Sequence, residues 1–167
     1  MQAVHATPET VTARIESAFA AIQRERMTGV PILNPALAVA AIGAQRWGED
    51  WLAILVTPWC MNILLLPGAP ENPGWSGLKP GATARRALPS GEYSFILGEE
   101  PALGRFLMCS LFSPMLQFTD QAAALATAEA ALAELMTPVV KPAPATPQGV
   151  SRRNLFGFGG EGIEAAS

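Results

Sequence analysis

The chain has 167 residues and a formal charge of −3, from 11 Lys and Arg against 14 Asp and Glu. Half of the residues are apolar and only 15% are charged, whereas an average globular domain is about 25% charged. These values predict one domain with a substantial core. They exclude a disordered acidic chain, a coiled coil and a basic module that binds nucleic acid through its phosphates.

The longest uncharged stretch, residues 51–70, has about the length of a membrane span. Pro58 lies at its middle, Asn62 would be placed in lipid, and the two flanking apolar runs of about six residues suit buried strands. We therefore expect two strands here and no membrane span. Residues 1–9 contain neither a basic segment nor an apolar one, which favours a cytoplasmic location over secretion.

The first predicted element is an amphipathic helix. Thr7 and Pro8 form a typical helix start, because threonine caps the first turn and proline suits the first helical position. Apolar residues then recur at helical spacing as far as Ile22, and Gly29 is a plausible end of the segment.

Strands are predicted next, at residues 37–44, 51–57 and 61–66, with a polar turn at residues 47–50. Residues 67–81 contain four Pro and four Gly, so we expect a loop without regular structure.

The following segments predict an antiparallel arrangement. Residues 83–88 carry two arginines and are expected to form an edge strand. Residues 93–97 alternate as a strand does, residues 98–101 are expected to turn, and residues 103–112 to run back beside them.

A second, Ala-rich helix is predicted over residues 121–136, capped by Asp120. Its apolar stripe is expected at Leu125, Leu132, Leu135 and Met136. The fold class is therefore α+β, an antiparallel sheet packed by an N-terminal and a C-terminal helix and followed by a Pro-rich tail. Residues 1–137 form the single domain, and residues 138–167 form a Pro/Ala linker and an Arg-Arg, Gly-rich tail.

The sequence offers little for catalysis. His5 is the only histidine, so a Ser/His/Asp or Cys/His arrangement lacks its base. An active site over the loop at residues 67–81 would have no acid–base groups to support it. We expect neither an enzyme nor a cofactor.

Cys60 and Cys109 support one alternative function. Their spacing matches neither a disulfide framework nor a zinc knuckle. Met61, Met108 and Met115 are further soft ligands, but neighbours on a strand point to opposite faces, so Met108 and Cys109 cannot both face one ion. A metal or Fe–S delivery protein that uses the two cysteines stays open as the alternative to a binding protein.

Three uncharged segments occur in a fixed order, GVPILNPAL at 29–37, TPWCMN at 57–62 and CSLFSPM at 109–115. The second segment places Pro, Trp, Met and Asn at a strand interruption, and the third places Pro114 and Met115 at the end of another strand, which suits an adaptable groove for a peptide. With the helix led by Asp120, these segments resemble the HybE/HupJ family of NiFe-hydrogenase assembly chaperones over about residues 10–137. Cys60 departs from the family pattern, in which an aromatic residue is expected.

The resemblance implies a non-catalytic cytoplasmic role, in which precursor subunits of a hydrogenase are bound before export. The implied clients are the small subunit with its twin-arginine signal peptide and, as the other candidate, the large subunit. An apolar groove rimmed with carboxylates would suit such a signal. Trp59 is the expected aromatic anchor and Asn62 the group that orients the client backbone. The predicted partner-binding residues are Pro31, Asn34, Thr57, Pro58, Trp59, Met61, Asn62, Ser113, Pro114 and Met115.

Residues 151–156, SRRNLF, look like the core of a twin-arginine signal, Ser-Arg-Arg-x-Phe-Leu, with its last two residues exchanged. Their position near the C-terminal end of the chain rules out a working signal. Two interpretations stay open, a solvated basic tail and a mimic of the client signal. The mimic would occupy the chaperone's own groove through Arg152, Arg153, Leu155 and Phe156.

Overall fold

Six antiparallel strands form one sheet in the computed structural model, which describes residues 6–69 and 72–139. The strands are β1 Ala40–Trp47, β2 Asp50–Val56, β3 Met61–Pro67, β4 Thr83–Leu88, β5 Gly91–Glu100 and β6 Gly104–Phe112. Their order in the sheet is β1-β2-β3-β6-β5-β4. The predicted α+β class with an antiparallel sheet is confirmed, and β4 lies at an edge as expected.

Two strands, β1 and β5, have bounds that differ clearly from the prediction. β1 begins at Ala40 rather than at residue 37 and continues to Trp47, because Gln121 occupies both backbone groups of Ala38 and so holds that residue off the ladder. β5 continues through Gly98 to Glu100, so the turn falls at residues 101–103. Gly98 pairs with Phe106 of β6 as part of the strand, and the Phe106 ring packs against it.

The uncharged stretch that matches a membrane span in length folds as β2, a short turn and β3, as predicted. Every residue of these strands between Trp51 and Val56, and between Met61 and Leu66, is buried. Both faces of the sheet are therefore covered here, which explains the unbroken apolar runs. Among the residues that the structure describes, no helix is long and apolar enough to cross a membrane.

The sheet is curled. The indole Nε1 of Trp47 on β1 donates a hydrogen bond to the carbonyl of Ala87 on β4, at 3.3 Å. In a flat six-stranded sheet these two edge strands would lie about 24 Å apart. The face that carries Leu52 and Ile54 is therefore concave and the face that carries Trp51 and Ala53 is convex, and each has its own apolar cluster.

Side chains also occupy backbone groups along the β1 edge. Gln121 accepts a hydrogen bond from the Ala38 N–H at 2.8 Å and donates one to the Ala38 carbonyl at 3.1 Å. A carboxylate oxygen of Glu16 accepts from the Ala41 N–H at 3.0 Å. With the Trp47 bond on β4, both edges of the sheet are partly closed to strand addition.

Helix α1, Pro8–Ile22, covers the convex face. Thr7 caps it through a reciprocal pair of hydrogen bonds with Thr10, as its sequence predicts. The helix continues as a wider turn over Gln23–Met27 before the chain reverses near Gly29. Its buried residues are Val11, Ile15, Ala18 and Phe19.

Helix α2, Gln121–Leu135, covers the concave face and is capped by Asp120, whose carboxylate accepts from the Ala123 N–H at 2.8 Å. All four members of the predicted apolar stripe pack in or against the core cluster, but only Leu135 lies at the centre of the contact. The fully buried residues are Ala124, Ala128, Ala131 and Leu135, whereas Leu125, Leu132 and Met136 are half-buried at the flanks. Alanines in the centre let the helix backbone approach the sheet closely, so the larger side chains pack beside the contact rather than in it.

Gly98 fixes how α1 meets the sheet. The Phe106 ring lies across it, and a Cβ at Gly98 would stand 2.7 Å from the Phe106 Cζ atom. The same ring meets Phe19 of α1 edge-on, with centroids 5.7 Å apart. Arg14 and Arg26 attach the helix further to the β5–β6 turn, through the Leu103 carbonyl and an ion pair with Glu100.

We expect Gly98→Ala to destabilise the protein by about 1–3 kcal/mol, because the new methyl group overpacks the Phe106 ring. Urea unfolding measures the effect. In a Phe106→Ala background the same glycine substitution should cost far less, since the obstructing ring is gone. An equal cost in both backgrounds would show that the ring contact is not the cause.

Candidate functional site

The three uncharged sequence segments meet at one end of the sheet. β2 ends at Val56 beside the start of β3 at Met61, and Met61 pairs with Phe112 at the end of β6. We call the loops there, residues 30–37, 57–60 and 112–118, the three-loop end. It contains no acidic or basic side chain.

Asn34 joins all three loops. Its side-chain amide donates to the carbonyls of Met115 and Phe118 at 2.9 and 2.8 Å, while its backbone N–H donates to the Pro58 carbonyl at 2.9 Å. Its amide oxygen accepts from the Ala36 N–H at 2.9 Å. Both amide hydrogens are thus used within the chain, and the residue is buried. Asn34 therefore shapes this surface and has no free donor for a partner.

Thr57 organises the second loop in the same way. Its hydroxyl oxygen accepts from the Trp59 and Cys60 N–H groups at 3.1 and 2.9 Å, and its own O–H lies 3.1 Å from the Cys60 carbonyl. Its backbone N–H donates to the same carbonyl. The turn is tied at its base, and the half-buried Trp59 is held at its tip.

The predicted partner-binding residues divide by exposure. Pro31, Ser113 and Pro114 are exposed and Trp59 is half-buried, so they can touch another molecule directly. The Ser113–Pro114 peptide bond is cis. The remaining residues are buried and can act only by shaping the surface: Asn34, Thr57, Pro58, Met61, Asn62 and Met115.

Two exposed residues of the three-loop end were missed in the sequence. Ile32 is 40% exposed and Leu116 is 56% exposed, which are high exposed fractions for large aliphatic side chains. Ile32 lies two residues before Asn34, and Leu116 directly follows Met115, whose carbonyl Asn34 holds. Leu116 lies in a turn closed by the hydrogen bond from the Phe118 N–H to the Met115 carbonyl, so no strand alternation in the sequence indicated its exposure.

The two acidic turns do not form the expected rim of carboxylates around the three-loop end. The turn at Glu49 and Asp50 joins β1 to β2, at the end of β2 opposite Thr57. Glu99 and Glu100 precede β6, which runs about 26 Å from there to Phe112. Successive hairpins of an antiparallel sheet turn at alternate ends, and this places the acidic turns away from the three-loop end.

The two cysteines lie on opposite faces of the sheet. The Asn62 amide points to the Cys60 sulfur at 3.5 Å and to the Met108 sulfur at 3.8 Å, on the convex side. Cys109 packs in the cluster on the concave face. The two thiols therefore cannot share an ion or a cluster within this fold, which removes the metal-delivery alternative in the form that uses both. Within residues 6–69 and 72–139, no three His, Cys, Asp or Glu side chains are grouped to hold a metal.

The loop at residues 67–81 is more ordered than expected, with a short 3-10 helix at Pro73–Trp75. Asp50 accepts hydrogen bonds from Asn72 at 2.6 Å and from the Trp75 indole at 3.0 Å. Burial raises the pKa of Asp50, and the Trp75 hydrogen bond partly opposes the rise. Arg105 in turn donates to the Trp75 carbonyl. These polar groups close the end of the core over Trp75.

The predicted self-ligand residues Arg152, Arg153, Leu155 and Phe156 lie outside the described residues.

The sequence and the fold are both similar to those of known proteins. The family model for the NiFe-hydrogenase assembly chaperone HybE matches residues 10–158. The hydrogenase expression/formation protein HupJ of Bradyrhizobium diazoefficiens is 42% identical over 148 residues, covering 85% of this chain and 84% of HupJ. Protein HoxT of Cupriavidus necator is 38% identical over 164 residues, covering 92% and 90%. The solution structure of HybE from Escherichia coli is similar in fold, with a TM-score of 0.63 and 22% identity over 91% of this chain and 92% of that one.

Asn34→Asp tests whether one amide holds the three loops. The substitution keeps the shape but replaces the donor with a carboxylate that faces two carbonyl oxygens. We expect a loss of about 3 kcal/mol in urea unfolding at pH 7 and faster hydrogen exchange in residues 113–118. The matched control is Gln117→Glu, an equivalent change at an exposed position of the same loop, which should leave stability nearly unchanged.

Thiol labelling tests the placement of the cysteines. Burial raises the pKa of the Cys60 thiol, with opposing hydrogen bonds from Thr57 and Asn62, and Cys109 is also buried. Because the thiolate is the reactive form, both should resist a thiol reagent at pH 8 in the native protein and react once it is denatured. Ser110→Cys places a thiol at an exposed neighbour of Cys109 and should react at once. Prompt reaction of the unaltered protein would contradict the described burial.

Proposed function

The chain belongs to the HybE family of NiFe-hydrogenase assembly chaperones, and we propose that it binds hydrogenase precursor subunits in the cytoplasm through the three-loop end. The bound precursor is kept from aggregation and from export until maturation is complete. Membership in a family of assembly chaperones implies a non-catalytic role. The function therefore depends on a binding surface.

The observation that supports this surface is a pair of exposed aliphatic side chains on firmly held loops. Ile32 and Leu116 belong to different loops, and Asn34 fixes the position of both. A preorganised apolar surface loses little conformational entropy on binding, so its apolar contacts contribute more of their free energy to affinity. Trp59, half-buried at the tip of the second loop, adds an amphipathic ring to the three-loop end.

The chemistry of this surface favours an apolar segment of the client. In a twin-arginine signal peptide the arginine pair is followed by an apolar stretch, and that stretch matches the uncharged loops. The arginines would find no carboxylate in the three-loop end, so we assign the main contact to the apolar stretch of the small-subunit signal. The large subunit is the other candidate client.

The double substitution Ile32→Ser with Leu116→Ser should weaken binding of a twin-arginine signal peptide by about tenfold or more, as expected when central apolar contacts are removed. Fluorescence anisotropy of a labelled peptide measures the affinity. Ile96→Ser is the matched control, because Ile96 is 49% exposed but lies on β5, away from the three loops. Equal losses in the two proteins would refute the assignment to the three-loop end.

A second set of peptides separates the two parts of the signal. Replacing two apolar residues of the stretch by Asn should reduce affinity strongly, whereas replacing the arginine pair by Gln should reduce it little. The reverse order would show that a charged surface elsewhere binds the client. Affinity purification of the tagged full chain from cells that make hydrogenase tests the function itself, and recovery of neither precursor subunit would overturn it.

A further inference from the structure

We propose that residues 151–156 of this chain dock on its own three-loop end, through Leu155 and Phe156, and compete there with the client. The inference rests on the proposed function for the identity of the competitor, and on the geometry of the chain for the contact itself. It makes the tail a regulatory ligand that is displaced when a precursor arrives.

The surface offers what this segment needs. Ile32 and Leu116 are exposed, large and aliphatic, and no acidic or basic group of the three loops stands beside them. The segment supplies one aliphatic and one aromatic side chain in succession, after an arginine pair. Because the three loops contain no carboxylate for the arginines, the contact is assigned to Leu155 and Phe156.

The tether is long enough. The carbonyl of Leu135, at the end of α2, accepts a hydrogen bond from the Ser90 N–H, so the chain leaves the domain beside the β4–β5 turn. Twelve residues, 140–151, separate Val139 from Arg152. A Pro-rich chain of that length spans about 37 Å. β5 starts at Gly91 and runs antiparallel to β6, which ends at Phe112. The β4–β5 turn and the three loops therefore lie at the same end of the sheet, where neighbouring strands are about 5 Å apart, so the tether is long enough to reach them.

The family match includes the proposed docking segment. It continues past the last described residue, Val139, through the linker and the arginine pair, and ends at residue 158. The following residues, 159–167, are outside it and contain the Gly- and Ala-rich end of the chain. The segment that carries Leu155 and Phe156 thus belongs to the matched part of the sequence.

Attachment converts weak contacts into an effective competitor. A tether whose length matches the distance to its site gives an effective concentration of the order of 1 mM. A segment that binds in trans with a dissociation constant of about 0.1 mM would then occupy the surface about 90% of the time and weaken client binding about tenfold. A precursor with a longer apolar stretch still displaces it.

The test compares the full chain with its Leu155→Ser, Phe156→Ser variant by amide NMR, without any client. The amides of residues 32–34, 36, 59 and 115–117 should shift, and a peptide of residues 150–158 added in trans should move them back. Ile163→Ser is the control, an apolar change in the same tail beyond the proposed contact, and should shift none of them. Unchanged spectra of the three-loop end in the double variant would overturn the inference.

Affinity for a twin-arginine signal peptide gives the second measurement. The double variant should bind it about tenfold more tightly than the unaltered chain, and Ile163→Ser should bind it as the unaltered chain does. Equal affinities would refute competition even if the spectra differ. If the spectra shift and no protein binds the signal peptide, self-docking stands and the proposed client is wrong. If the peptide binds and the spectra do not shift, the proposed function stands and self-docking is wrong.

Discussion

The side-chain amide of one buried residue, Asn34, connects the loops at one end of the sheet. The Asn34 side chain spans from the segment before β1 to the segment after β6, and its backbone reaches the turn between β2 and β3. These segments are far apart in sequence but adjacent at the end of the sheet. A serine or a leucine could not replace the amide, because two carbonyls must receive donors at the same time while an acceptor faces the Ala36 N–H. The apolar surface therefore depends on a polar residue beneath it.

The sheet beneath that surface is stabilised from both sides by different means. On the concave side, a helix with alanines at its centre approaches the strands closely. On the convex side, an edge-on pair of phenylalanines and a missing Cβ at Gly98 set the distance of the first helix. With both faces covered, the strands can be apolar throughout, and this accounts for the low charge and high hydropathy of a chain whose described helices include no membrane span.

Three features were predictable because each has a local cause. Cap residues indicated the helix starts, apolar runs indicated the strands on either side of Pro58, and short turns indicated the antiparallel class. The central alanines of α2 were not predictable, since alanine carries little apolar weight in a pattern although it allows the closest packing. Gly98 was misjudged as a turn because its reason for being glycine lies in Phe106, on another strand. The loops of the three-loop end were identified from their residue types and motifs, but the exposure of Ile32 and Leu116 was not predicted. Their exposure depends on Asn34 bonds that link positions more than 80 residues apart.

The partly closed sheet edges bear on how the proposed client would be held and released. Gln121 and Glu16 occupy backbone groups beside β1, and Trp47 occupies one on β4, so strand addition at these positions would first have to break their hydrogen bonds. A client on the three-loop end would instead be held by side-chain contacts, without a ladder of backbone hydrogen bonds. Such contacts break a few at a time, so release to the next step of assembly would need no concerted separation of paired strands.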